Sequence, residues 1–138
     1  MMNGVLVDSN ILLDVFLDDP QWGTWSEEQL AQSSAAHHLY INPIIYSEIS
    51  IGFSRIEDLE RTLIDGGFTM QPLPKEALFL AGKVFLQYRR RKGIKGIKRS
   101  PLPDFYIGAH AAVENFTLLT RDPRRYRSYF PHLVMVEP

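Results

Sequence analysis

Residues 4–16 read GVLVDSNILLDVF, and the fold follows from how this stretch is parsed. Val5, Leu6 and Val7 form an unbroken apolar run, as expected of a strand buried on both faces. Ile11, Leu12, Val15 and Phe16 then recur at helical spacing, with Ser9 or Asn10 as N-cap types ahead of them. A strand passing directly into a helix is the first half of a βαβ unit. At the junction stands Asp8, a carboxylate at the mouth of the most apolar strand in the chain, where removal of a charge from water is costly unless it is paired. The rest of the sequence has to supply its partner.

Working outward, strands and helices alternate. Asp18–Pro20 ends the first helix. Ser26 begins a Ser-x-x-Gln capping box, which predicts a second helix to about His37. Residues 39–42 (LYIN) read as a short strand, and Pro43 suits a first helical position. The helix beyond it carries Ile45, Ile49 and Phe53 at fourfold spacing, with Glu48 among them. A helical stretch over 57–64 stops at Gly66–Gly67; FTMQPL after it is a strand or an extended link. Residues 74–91 predict a long helix with Leu78, Ala81, Phe85 and Tyr88 on one face. A loop rich in Gly, Pro and Lys precedes a helix over 105–114 opened by Asp104. FTLLT (116–120) and VMV (134–136) are the last strands. The alternation predicts an α/β domain with a mainly parallel central sheet, as one unit over 1–138, with ligands at the carboxyl ends of the strands.

The composition is that of an ordinary soluble globular chain, with 45% hydrophobic and 22% charged residues. No apolar run approaches the roughly 20 residues that span a bilayer, and the first ten residues lack the basic flank and cleavage site of a signal peptide. Zero cysteines exclude disulfides and thiolate metal sites and fit a cytoplasmic location. The net charge of −1 conceals an asymmetry: residues 1–76 hold 12 acids and 3 bases, residues 77–138 hold 4 acids and 12 bases. Such a split makes nucleic acid a candidate partner, and equally describes two solvated faces of opposite sign.

Asp8 closes the first strand and Asp122 follows the apolar run Leu118–Leu119, so parallel strands would bring both acids to one sheet edge. Asp104 heads a helix, where amide dipoles favour an anion. Glu48 lies in the first turns of its helix among apolar neighbours. Taken singly, Asp104 is a cap, Asp122 a turn residue before Pro123, and Glu48 an acid that reaches the surface. Taken together, four carboxylates at one point repel and shift upward in pKa, a difficulty that a divalent cation removes. Oxygen donors without Cys or a His cluster favour Mg²⁺ or Mn²⁺ over zinc. His37 and His38 diverge on a helix, and His110 and His132 are isolated, so the histidines read as structural. An acidic Mg²⁺ site polarises a phosphodiester and activates water, which is nuclease chemistry.

Four stretches, VLVDSNILL, INPIIYSEIS, SPLPDFYIGAHA and LLTRDPRRYRSYFP, in that order and spacing, resemble the PIN-domain ribonucleases, in particular the VapC-type toxins of bacterial toxin–antitoxin pairs. The match covers nearly the whole chain. The resemblance implies a three-layer α/β/α fold, metal-dependent cleavage of RNA, a homodimer, and inhibition by a cognate VapB-like antitoxin. It implies Asp8, Asp104 and Asp122 as metal ligands, Glu48 as a further catalytic acid, and Asn10 and Thr120 as polar residues that hold the acids. The linker RRRKGIKGIKRS is longer than in many members of the family.

Seven bases fall within residues 89–99 with no acid among them, and Arg121, Arg124, Arg125 and Arg127 flank Asp122. Lys95, Lys98, Arg99, Arg121 and Arg124 are candidate RNA contacts that would funnel the strand across the acids; Arg89–Lys92 also reads as a solvated helix C-terminus. Trp22 and Trp25 read as core packing, or as a groove for an antitoxin's apolar segment. Tyr126 and Phe130 anchor the segment after Asp122, and Gly108, Ala109, Ala111 and Ala112 allow close helix approach, including a dimer face. The competing function classes are a non-catalytic RNA- or antitoxin-binding module and a Mg²⁺-dependent phosphatase or DNA nuclease. The intact acid set argues against the binding module, and the absence of D-x-D at the first strand's end argues against a covalent phosphatase.

Overall fold

The computed structural model describes residues 4–92 and 101–138 of the chain. Five strands, β1 (Gly4–Val7), β2 (His38–Ile41), β3 (Phe68–Met70), β4 (Thr117–Leu119) and β5 (Met135–Val136), form one sheet in the order β3-β2-β1-β4-β5. All four pairings are parallel. Val5, Leu6 and Val7 are each at most 2% exposed, so both faces of β1 are covered, as a three-layer α/β/α arrangement requires. The helices are α1 (Ser9–Phe16), α2 (Gly23–Ala36), α3 (Pro43–Ile49), α4 (Ile56–Asp65), α5 (Lys75–Lys92), α6 (Leu102–Glu114) and α7 (Arg124–Tyr129).

The strand order positions the site. From β1 the chain builds β2 and β3 to one side, then returns to lay β4 and β5 on the other. The carboxyl ends of β1 and β4 therefore flank the point where the winding reverses, the place where open parallel sheets leave a crevice. Register fixes this closely: Val7 pairs with Leu119, and the Asp8 amide donates to the Leu119 carbonyl at 2.9 Å.

Several local expectations shift. The second helix starts at Gly23, not at Ser26. The Ser26 hydroxyl does not cap it, because it is buried and donates to Asp14 at 2.8 Å; the Asp19 carboxylate instead accepts from the Gln21 and Trp22 amides ahead of the helix. The third helix ends at Ile49, and a 3-10 turn over Ser50–Gly52 places Phe53 outside it in extended backbone, where its ring meets Phe16 edge-on. FTM is a true edge strand. On α5 the buried face is Ala77, Ala81 and Val84, and Leu78 is 43% exposed. Small residues let α5 approach its neighbours, which tilts the face one position away from Leu78. Trp25 packs against the core, while Trp22 lies beside it at 5.9 Å between ring centroids.

Two contacts of α6 set the distances between layers. Gly108 sits under the buried Phe130 ring so closely that an added Cβ would lie 2.5 Å from it. His110 is buried, and its Nδ1 stands 3.1 Å from the Asn42 amide nitrogen. Asn42 caps α3 by accepting the Ile45 amide on Oδ1, so its Nδ2 donates to His110 and the imidazole is neutral with its proton on Nε2. Burial pushes the imidazole pKa down to about 4.

Gly108→Ala is expected to cost about 1–3 kcal/mol, the range for overpacking a filled core, read from urea unfolding. Between pH 7 and 4 the unfolded chain protonates His110 while the folded chain does not. Stability contributed by the neutral imidazole is thus complete above pH 6.5 and declines as pH falls toward 4, by up to about 3 kcal/mol. Unfolding midpoints measured across this window should fall less steeply for His110→Gln than for the wild type.

Candidate active site

Asp8 is the residue on which the crevice is built. Its backbone ends β1 in extended conformation and its side chain caps α1, accepting the Ser9 amide on Oδ1 at 2.8 Å. The strand-end acid and the helix cap are one residue, which is why Ser9 and Asn10 are free for other work. Oδ2 accepts three further donors: Thr120 Oγ1 at 2.8 Å, Tyr126 OH at 3.0 Å and Asn10 Nδ2 at 3.3 Å. These come from the end of β4, from α7 and from α1. Yet the carboxyl, only 3% exposed, is raised to about 7. Burial is the main cause and the Asp104 charge the next; the bonds from Thr120 and Tyr126 work against them, and Glu48 adds a smaller upward push.

The other acids are tied in turn. Glu48, on α3, accepts from Ser9 Oγ at 2.9 Å. Its pKa is raised, first by burial and also by the Asp104 charge, with the Ser9 bond opposing. Asp104 lies in the first turn of α6 and pairs with Arg125 Nη1 at 2.7 Å. Burial raises its pKa and Asp122 raises it further, against the hydrogen bond and charge of Arg125. Asp122, exposed, follows Thr120, whose Oγ1 accepts the Asp122 amide at 3.1 Å. Four acids from four regions of the sequence therefore share one electrostatic field. Asn10 and Thr120 bond both to Asp8 and to each other, the last at 3.4 Å.

A second lock lies beside the first. Asp14, 3% exposed on α1, accepts Arg121 Nε at 2.7 Å as well as the Ser26 hydroxyl. The Arg121 guanidinium rests 5.7 Å from the Trp22 ring, and its amide reaches Asn10 Oδ1 at 3.4 Å. Arg121, expected from the sequence to meet RNA, has its Nε engaged with a buried acid; its evident work is to hold the turn between Thr120 and Asp122. Arg124 is exposed, and Arg127 pairs with Glu137. Lys95, Lys98 and Arg99 lie outside the described residues. Sequence reasoning missed Ser9, Asp14, Arg125 and the bond of Tyr126 to Asp8. Each depends on a partner more than 12 residues away or on a helix face visible only once the layers are packed; Tyr126 alone carried a signal, as an anchoring aromatic.

A hard divalent cation suits this donor set in kind: the available ligands are carboxylate oxygens, and their mutual repulsion is what such an ion removes. Among the described residues no three His, Asp or Glu side chains are grouped tightly enough to hold an ion as they stand, and a cation at Asp104 has to compete with Arg125.

The model of the PIN domain family matches residues 5–130. The chain belongs to the PIN-domain family, whose members are generally nucleases. No curated protein matches it. Among solved structures it is similar to VapBC2 from Rickettsia felis bound to a DNA fragment from their promoter, with 18% identity, a TM-score of 0.70 and 98% of each chain covered. It is likewise similar to VapBC-1 from nontypeable Haemophilus influenzae, with 17% identity, a TM-score of 0.67 and 97% of each chain covered. DNA-bound VapBC from Salmonella typhimurium follows with 16% identity, a TM-score of 0.65, and 99% of this chain and 98% of that one covered. At such identities the likeness is one of fold.

Arg121→Met leaves the buried Asp14 without its cation and is expected to cost about 2 kcal/mol, below the roughly 3–5 kcal/mol of a fully buried pair because Arg121 is partly solvated. In a double-mutant cycle with Asp14→Asn, read from chemical unfolding, the second substitution should cost little once the first is made.

Proposed function

We propose that the protein is a divalent-metal-dependent endoribonuclease of the VapC type, acting in the cytoplasm as a homodimer and restrained by a VapB-like antitoxin. The observation that carries the reading is the meeting of Asp8, Glu48 and Asp104 in one mutually repelling field at the reversal point of the sheet, with Asp122 beside Asp104. Asp8, Asp104 and Asp122 are the residues that would hold Mg²⁺ or Mn²⁺. When bound, such an ion supplies Lewis acidity toward a phosphodiester and a lowered pKa for water.

The chain's own groups have separable tasks. Asp8 is fixed by Ser9, Asn10, Thr120 and Tyr126, so it offers charge at an invariant position. Glu48, oriented by Ser9 and biased upward in pKa, is suited to take the proton of an attacking water. Arg125 neutralises Asp104 while the site is at rest, and Arg124 with its neighbours draws the polyanion toward the acids. Attack of water in line on the phosphorus requires no covalent enzyme intermediate. An antitoxin as partner is supported by the neighbours that are toxin–antitoxin complexes, and by the exposed Leu17, Ile51 (77%) and Ile56 around the 3-10 turn. In this setting no helix among the described residues is long and apolar enough to cross a membrane.

Incubation of the partner-free protein with single-stranded RNA should give cleavage that EDTA abolishes and Mg²⁺ or Mn²⁺ restores. Asp104→Asn should lower the rate by about a hundredfold or more, the scale of removing one charge from a preorganised site, while its circular dichroism stays that of the wild type. RNA left intact by the wild type, or cut equally by Asp104→Asn, contradicts the assignment.

A further inference from the structure

The acidic crevice has an annex. A cavity of about 550 Å³ opens beside Asp122, between the last turns of α5 and the whole of α7. It falls within the roughly 300–1,000 Å³ of ordinary ligand sites, yet its lining is polar and cationic. Arg91 and Tyr88 come from α5; Arg124, Arg125, Ser128 and Tyr129 come from α7. One wall is Asp122, so whatever fills the cavity is adjacent to the site that holds the acids.

The three arginines are not equivalent. Arg125 is committed to Asp104. Arg124 is exposed and has no carboxylate within ion-pair distance among the described residues. Arg91 carries its guanidinium 4.9 Å from the centroid of the Tyr129 ring. That ring is itself immobilised: Phe105 lies 5.1 Å away and Tyr88 6.0 Å away, centroid to centroid. A guanidinium stacked on a braced aromatic is a flat, cationic, preorganised surface, and a nucleobase stacks on such a plane as it does on an aromatic side chain. The hydroxyl of Ser128, donor and acceptor both, lines the same space and can meet a base edge or a 2′-hydroxyl.

We propose that this annex binds one nucleotide of single-stranded RNA next to the phosphate that is cut, its base stacked on the Arg91 plane and its phosphate met by Arg124. The assignment rests on the endoribonuclease reading above. It differs from general attraction of a polyanion in requiring a planar cation at position 91 rather than a charge alone.

Arg91→Lys keeps the charge and loses the plane, and the position is exposed, so folding is not at stake. Binding of a fluorescent single-stranded RNA to the full chain, followed by anisotropy in EDTA so that no strand is cut, should weaken about tenfold in Arg91→Lys, in keeping with the loss of one stacked base. With an abasic residue walked along the strand, one position should bind wild type and Arg91→Lys alike. Equal affinity of the two proteins for the intact strand overturns the subsite. The two readings separate in the cleavage assay. Wild type that cuts RNA alongside an Arg91→Lys variant of unchanged KM removes the subsite and leaves the nuclease; wild type that neither binds nor cuts RNA removes both.

Discussion

One buried carboxylate organises this molecule. Asp8 ends the central strand, caps the helix that follows, and accepts bonds from the end of β4 and from α7. Segments more than a hundred residues apart in sequence are thereby joined at a point that is almost closed to water. A neutral side chain of the same size would make some of these bonds and would be cheaper to bury. The acid is retained with its pKa raised to about 7, which marks a position held against the preference of folding alone. Perturbation of this kind, by burial together with like charges, gathers where chemistry is done.

Around this point the helices that carry the remaining acids are each tethered by contacts outside the acidic field. Asp14 and Arg121 hold the turn after β4 against α1. Asn42 and His110 join the start of α3, which carries Glu48, to α6, which carries Asp104. Ser9 links Glu48 to Asp8, its hydroxyl donating to the one and its amide to the other. The mutual repulsion of the acids is thus opposed by neutral hydrogen bonds and by one ion pair set deeper in the protein. A site braced in this way keeps its shape independently of its charge balance, of which the Arg125–Asp104 pair is the visible part.

Arg125 and Arg91 show how α7 and the end of α5 serve two purposes. Arg125 lies on α7, whose Tyr126 is buried, and Arg91, at the end of α5, rests over the α7 ring of Tyr129, which Tyr88 of α5 also meets. Anchoring through apolar rings leaves the cationic heads on the surface while restricting where they can go. The same construction pairs Arg125 with Asp104 in one direction and lines a cavity of about 550 Å³ in the other.

How much of this was legible before folding depends on range. The βα junction at Asp8, the parallel α/β class, Pro43 at a helix start and the glycine stop at Gly66–Gly67 follow from nearest neighbours along the chain, where period, caps and turn residues act locally. The strand ends and helix starts that carry Asp8, Glu48, Asp104 and Asp122 could be located from local pattern, and the family resemblance added Asn10 and Thr120; that Asn10 and Thr120 both bond to Asp8 is a matter of packing. Ser26 was misread as a cap, and Leu78 as a core residue, because each choice is made by a partner elsewhere: Asp14 for the serine, and for α5 the neighbours its alanines admit. Arg121 read only as a candidate RNA contact, because its acid partner Asp14 lies 107 residues away. Pairings of that range are decided by the layer packing, which brings distant polar groups together where burial forbids them to remain alone. Sequence periodicity carries the preference of each segment, and only the packed layers determine which groups have lost their water and must find one another.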